Sequence, residues 1–186
     1  MTGCLRAGEI AGKPVVTLGG DDVAQIKDIV FDSDSGTIRC FTLSGRGMLA
    51  GPLKRVLLWQ NVHALGPDAV MIRDEAALDD DAAARTEADA GGDDVLGARI
   101  MTEGGRDLGR ITDVVIEPGE TARVVGYEID SAAEAGRLLV LPVVRPLSAS
   151  AEMVVVPEVT VEYAAGDLVG LPAAVESLRN RLTQEK

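Results

Sequence analysis

A stretch of 24 residues occurs twice in this chain, and no other feature constrains the fold as tightly. EIAGKPVVTLGGDDVAQIKDIVFD, from Glu9 to Asp32, aligns without a gap with DVLGARIMTEGGRDLGRITDVVIE, from Asp94 to Glu117, 85 positions further on. Eight positions are identical: Gly12/Gly97, Thr17/Thr102, Gly19/Gly104, Gly20/Gly105, Asp22/Asp107, Ile26/Ile111, Asp28/Asp113 and Val30/Val115. Most other pairs are conservative, among them Val15/Ile100, Val23/Leu108 and Ile29/Val114. Both copies are expected to adopt one strand arrangement.

Each copy reads as a β-hairpin. Two apolar runs, PVVTL and VAQIKDIVF, flank Gly19-Gly20-Asp21-Asp22, and the second copy sets RIMT and LGRITDVVI around Gly104-Gly105-Arg106-Asp107. A Gly-Gly pair supplies the positive φ that a tight turn demands, because glycine has no Cβ to clash. Val23, Ile26, Ile29 and Val30 also fit a helical spacing, but the matched turns and the β-branched content decide for strand. Their broken alternation predicts a bulge, or a strand buried on both faces.

Beyond the hairpin, Ser33 to Gly36 reads as a turn leading into the strand TIRCFTL, matched by VVGYEID in the second copy. Phe41/Tyr127 and Leu43/Ile129 correspond, so the face carrying Phe41 and Leu43 is predicted to be buried, with Ile38, Cys40 and Thr42 on the other. Further strands are expected at about Leu53 to Trp59, Asp68 to Ile72, Leu138 to Pro142 and Glu152 to Val156. VTVEY, Val159 to Tyr163, alternates like an additional edge strand. Short strands at this spacing indicate a small barrel or sandwich. Residues 73–94 hold nine acidic side chains, many alanines and almost no large apolar group, so they cannot build a core. A short helix around Glu75 to Ala84 and then a flexible linker are expected there. At the C-terminus Leu171, Val175, Leu178 and Leu182 recur at helical spacing behind Pro172, which predicts an amphipathic helix whose stripe must be buried. The expected division is a first barrel in 1–76, an acidic linker in 77–93, a second barrel in 94–168 and a C-terminal helix in 169–186.

Length and charge narrow the function classes. Two domains of roughly 80 residues can each hold only a marginal core, so packing against another element or another chain would help. Aromatic residues make up 3% of the 186, which leaves the core to Val, Leu, Ile and Ala. A net charge of −12 repels phosphate backbones and anionic lipid, so direct nucleic-acid binding is not expected. Cys4 and Cys40 are too few for a disulfide framework and lack zinc-site spacing. No signal-peptide pattern follows Met1, and no apolar run is long enough to span a bilayer. The expected compartment is the cytoplasm.

Candidate sites are sparse. Gly45-Arg46-Gly47-Met48-Leu49-Ala50 fits GxGxxA, but Pro52 and a strand-like run follow it where a dinucleotide fold needs a helix N-terminus. Arg46, Lys54 and Arg55 form the one basic cluster; it reads as a solvated hairpin, or as a partner contact if Met48 and Leu49 stand exposed at the tip. His63 has no nearby nucleophile or paired carboxylate and reads as structural. Asp28 and Asp113 occupy matched positions, which suggests a shared duty such as accepting from turn amides. Asp79, Asp80 and Asp81 could hold a divalent cation only weakly, for no EF-hand pattern surrounds them. Trp59 reads as a core or interface anchor. No catalytic residue, cofactor-binding residue or metal ligand is assigned.

The residues resemble a known family. Thr17 to Asp32, with its Gly-Gly-Asp turn, and Val62 to Ile72, with the turn LGPDA, are similar to the PRC-barrel domain, the small β-barrel of the photosynthetic reaction centre H subunit and of a ribosome maturation factor. The second copy matches through Ile129 and departs at PVVRPLSASAEMVVV, which lacks that turn. The resemblance implies a mainly β protein of two tandem PRC-type barrels, joined by the acidic linker and followed by the helix. It implies an adaptor and no catalytic residue. The expected function is therefore a non-enzymatic protein-interaction module, with a protein partner, a homodimer favoured and docking to a membrane-protein complex left open. A ribosome- or RNA-associated assembly factor is the main alternative, and a small-ligand binder using the Gly45 to Gly51 loop is a third.

Overall fold

The computed structural model describes residues 3–32, 35–47, 50–80, 95–133, 136, 138–144, 148–150 and 152–184. The chain opens with a two-residue strand, β1 (Leu5–Arg6), and one helical turn (Ala7–Ile10). A first set of strands follows: β2 (Pro14–Thr17), β3 (Asp22–Phe31), β4 (Ile38–Ser44), β5 (Pro52–Leu58), β6 (Val62–Leu65) and β7 (Val70–Ile72). The second set is β8 (Arg99–Thr102), β9 (Asp107–Glu117), β10 (Arg123–Ser131), β11 (Leu138–Pro142), β12 (Ser148–Ala149) and β13 (Met153–Val156). A C-terminal helix, Leu171–Gln184, closes the described chain.

The two sheets are copies of one another. Their orders, β5-β4-β3-β2-β7-β6 and β11-β10-β9-β8-β13-β12, agree strand for strand. In each, the first hairpin strand also pairs in parallel with a late strand, β2 with β7 and β8 with β13. That pairing brings the two ends of each repeat together. The hairpin turns are as expected, with φ of 92° at Gly20 and 84° at Gly105. Beside each turn a buried threonine hydroxyl accepts from a turn amide: Thr17 Oγ1 from Asp21 N and Thr102 Oγ1 from Arg106 N, both at 3.0 Å. This clamp is the physical content of the Thr17/Thr102 identity, since a buried hydroxyl left without a partner would be costly.

The broken alternation is a bulge. On β3 the register slips between Ile26 and Asp28, which leaves Lys27 and Asp28 both exposed; on β9 Thr112 is passed over in the same way. Asp28 and Asp113 follow these bulges. The Asp28 carboxylate lies 3.5 Å from Lys27 Nζ, and Asp113 Oδ1 accepts from the amide of Val114. The matched aspartates sit where a bulge turns the chain outward.

Each barrel buries aliphatic side chains with a single large aromatic among them. Ile26, Phe41, Leu43, Leu57 and Ile72 are all within 1% of full burial in the first, as are Ile100, Ile129 and Val156 in the second. A side chain of this size stabilises by about 1.5–3 kcal/mol when fully buried. The Phe41 face is buried as expected, but so is the opposite one. Ile38 and Cys40 are 3% and 0% exposed, and Cys40 clusters with Val30 and Val56. In the second barrel the counterpart cluster is Val115, Val125 and Val140, and there Leu171 and Val175 of the helix complete it. The stripe thus docks on its own barrel, with Leu182 only half-buried. Gly126 makes the approach feasible: a Cβ there would lie 2.8 Å from the Leu141 carbonyl oxygen and 3.2 Å from Leu171 Cδ2. Asp167 Oδ1 accepts from the amides of Val169 and Gly170 ahead of the helix.

Val159 to Tyr163 is not an edge strand. Glu158–Tyr163 forms a 3-10 helix in which Thr160 is the buried residue and the valines are half-buried. Pro157 ends β13, its carbonyl accepts from Thr160 N at 3.1 Å, and Glu103 Oε1 accepts from Glu158 N. These bonds override the alternation. The first barrel has a shorter equivalent, Glu75–Ala77, capped by Asp74. The helix expected from Glu75 to Ala84 is thus one turn long, for Leu78 is extended and Asp79 bridges Val56; 81–84 lie outside the described residues. After each 3-10 turn the chain returns to the outermost strand and makes one two-bond bridge, Asp79 with Val56 and Ala165 with Val140.

The compact units do not follow chain order. One comprises Gly8–Gly92 together with Pro118–Ala122, and the other Met1–Ala7, Asp93–Glu117 and Arg123–Lys186. The first strand of the chain therefore belongs to the second barrel, where Leu5 lies opposite Ile116 and Arg6 opposite Val115.

Candidate functional site

The loop from Gly45 to Gly51 joins β4 to β5 as a hairpin. Gly45 N donates to Gly51 O, Ala50 N donates to Gly47 O, and Gly47 has φ of 95°. A strand follows, so the glycines serve a turn and meet no helix N-terminus. Met48 and Leu49 lie outside the described residues. Beside the loop is an open depression of about 410 Å³ lined by Pro14, Asp22, Ala24, Gln25, Arg46 and Gly47. Arg46 reaches Asp22 Oδ2 at 3.2 Å, while Asp22 Oδ1 is buried with no protein partner.

Comparison of the repeats explains that orphan oxygen. Asp107, the counterpart of Asp22, pairs with Arg99 and also accepts from Gly109 N at 3.0 Å. Gly109 adopts φ of 129°, and a Cβ there would overlap the Asp130 carbonyl. The first copy has Ala24 at this position and forgoes the bond. The Arg99 guanidinium holds the Asp107 carboxyl below its usual range, with the Gly109 amide assisting. In both copies the aspartate at the head of the long strand anchors an arginine.

The basic cluster is divided. Arg55 donates to Glu75 Oε1 and to the carbonyls of Glu75 and Leu78, and lies 3.8 Å from Asp80. It thereby fastens the turn after β7. Arg46 is taken by Asp22, and Lys54 is exposed. His63 is exposed on β6, Asp79 uses its main chain to bridge Val56, and Asp81 lies outside the described residues. Trp59, read as a core or interface anchor, is only half-buried. It tilts against Phe41 with ring centroids 6.0 Å apart, and its indole N–H reaches the carbonyls of Gly119 and Glu120 within the same unit. A donor that must find a carbonyl keeps the ring at the rim of the core. Among the described residues no three of His, Cys, Asp and Glu converge as a metal site.

One buried charge escaped sequence reasoning. Glu128 on β10 is 8% exposed, and Arg6 Nε donates to its Oε2 at 2.7 Å. The signal was present: Glu128 stands in the apolar run VVGYEID, where the first copy has Thr42. Its guanidinium comes from the far end of the chain, which no local pattern could reveal. Nearby, burial and the Glu117 carboxylate push the Cys4 thiol up, and burial pushes the Tyr127 hydroxyl up to about 12.

Strand order, parallel closure and repeated clamps define a tandem β-barrel protein of two like units. The family model for the PRC-barrel domain matches residues 5–78 and again 89–163, and the chain belongs to that family with two copies in tandem. No curated protein matches the chain. Among the described residues no helix is long and apolar enough to cross a membrane.

Proposed function

We propose that the chain is a non-enzymatic interaction module that holds a protein partner through its two PRC barrels, working in the cytoplasm and carrying both cysteines reduced. The observation that carries this reading is the disposition of its polar side chains. Arg46, Arg55, Arg99 and Arg123 are each spent on a carboxylate of the same unit, in bonds that stabilise turns and strand ends. The acidic surplus that remains suits a partner with a basic face, drawn in by long-range attraction. Such a partner can be a soluble protein or the exposed portion of a membrane-protein complex.

Affinity capture with the tagged chain from its own host tests the reading. Specific partners that elute as salt rises are expected; a chain that retains nothing at low salt sinks it. A ribosome- or RNA-associated assembly role is the second reading, suggested by the family resemblance and opposed by the charge of −12. An electrophoretic shift of total RNA at low salt would favour it over the first.

A further inference from the structure

Strand β9 has a long edge that its neighbour covers only in part. β8 borders it from Asp107 to Arg110, and β1 lies further along, opposite Val115 and Ile116. On β9 those two rungs fall at residues that are 0% exposed, while Leu5 and Arg6 opposite them are half-buried, and the Arg6 side chain runs to Glu128, whose side chain is 10% exposed. A carboxylate this deep is costly without a cation held in good geometry. The first barrel lacks the arrangement. By strand register Thr42 stands where Glu128 does, and its hydroxyl accepts from the Asp28 amide.

We propose that this edge of β9, together with Glu128, is a strand-addition slot that reads an arginine, filled in the free chain by its own residues Gly3 to Ala7. The trans occupant is an extended, basic segment of a partner protein with an apolar residue directly before the arginine, as in Leu5-Arg6. Main-chain rungs give such a site affinity for any extended chain, and the buried carboxylate gives it selectivity. Guanidinium suits a buried carboxylate better than ammonium does, because it is planar and more weakly hydrated. A charge of −12 favours a basic partner over other extended chains. The resident segment pairs with β9 over two rungs, adds the Arg6–Glu128 ion pair and packs Cys4 against the core cluster, and a pairing this short can open locally without unfolding the barrel. The proposal rests on the reading of the chain as an interaction module and gives that reading one surface.

The test uses the full chain and a labelled peptide of residues 3–8 with serine in place of the cysteine, followed by fluorescence anisotropy. Arg6→Ala should bind the peptide at least tenfold more tightly than the wild type, because the resident competitor is weakened. Adding Glu128→Gln to Arg6→Ala, or lysine for arginine in the peptide, should lose at least tenfold. Arg6→Ala binding no better than wild type, or the double variant binding as well as Arg6→Ala, overturns the slot. Should Arg6→Ala fail to fold, amide exchange in the wild type decides: Leu5 and Arg6 should exchange far faster than the β9–β10 ladder, and exchange only on global unfolding overturns the proposal. Self-association of the wild type that Arg6→Ala abolishes would replace the partner by a second copy. Proteins captured by a Glu128→Gln chain as well as by the wild type would remove the slot and leave the interaction reading standing.

Discussion

Phe41, Tyr127 and Asp107 each tie a single side chain to a measurable property. Phe41 is fully buried, so Phe41→Ala should cost about 3–5 kcal/mol in urea unfolding, the range for a deleted core ring. A loss below about 1 kcal/mol would mean that the ring contributes little to the barrel. Tyr127 titrates at about 12 in the folded chain against an ordinary 10, because burial disfavours the phenolate. The folded state then holds a proton that the unfolded state releases. Its contribution is complete below pH 10 and is lost as pH rises to 12, a change of about 2–3 kcal/mol that Tyr127→Phe should abolish. Asp107 has the opposite sign: its folded value is lowered, so Arg99 stabilises above the unfolded carboxylate range and ceases to do so as pH falls through the depressed value. The pair lies near the surface and is worth up to about 1 kcal/mol. Arg99→Met should be less stable than wild type at pH 7 and equal to it near pH 2; a gap that persists in acid would point to lost packing.

At the scale of elements, the helix and the 3-10 turns mark where local pattern succeeded and where it failed. The stripe of Leu171, Val175 and Leu178 was legible because each apolar residue recurs on one face and nothing local competes. Its seat was not legible, because the absence of a Cβ at Gly126 matters only once Leu141 and Leu171 are brought against it from elsewhere. Gly126→Ala should therefore destabilise the second barrel by about 1–3 kcal/mol and raise amide exchange in the helix, whereas the same change at Gly104 or Gly119 should leave the helix untouched. Unchanged helix exchange in Gly126→Ala would show that the glycine does not seat it. Val159 to Tyr163 misled because alternation is a local signal, while Pro157 and Glu103 act on the backbone from outside it. The hairpins, turns and bulges were readable from the repeat itself, since two independent copies of one pattern expose what each position must do. Of the candidate residues, Arg46 and Arg55 were visible as a cluster, but their engagement by Asp22, Glu75 and Asp80 depends on strand register. Glu128 was visible only as an oddity in an apolar run.

At the scale of the whole molecule, self-association is the open expectation with the simplest measurement. With its helix stripe buried at home, any dimer must use another surface. Sedimentation of the full chain and of a Glu176→Lys variant, changed on the exposed face of the helix, should then give the same association constant, and weaker association of the variant would assign that face to an interface. The interleaved units carry a further consequence, for synthesis. Arg6 leaves the ribosome 122 residues ahead of Glu128. At roughly 5–20 residues per second that is a wait of about 6–24 s. Late in it, once Gly92 has been made, the first barrel has nearly all of its sequence and can begin to condense, while until β9 emerges the leading segment has no strand to join. Gly3 to Ala7 is thus made well before the strand it joins, and is available in the interval to chaperones, modifying enzymes or a neighbouring nascent chain. A gene cut within the acidic linker would lengthen that interval indefinitely, for it parts each unit from a piece of itself.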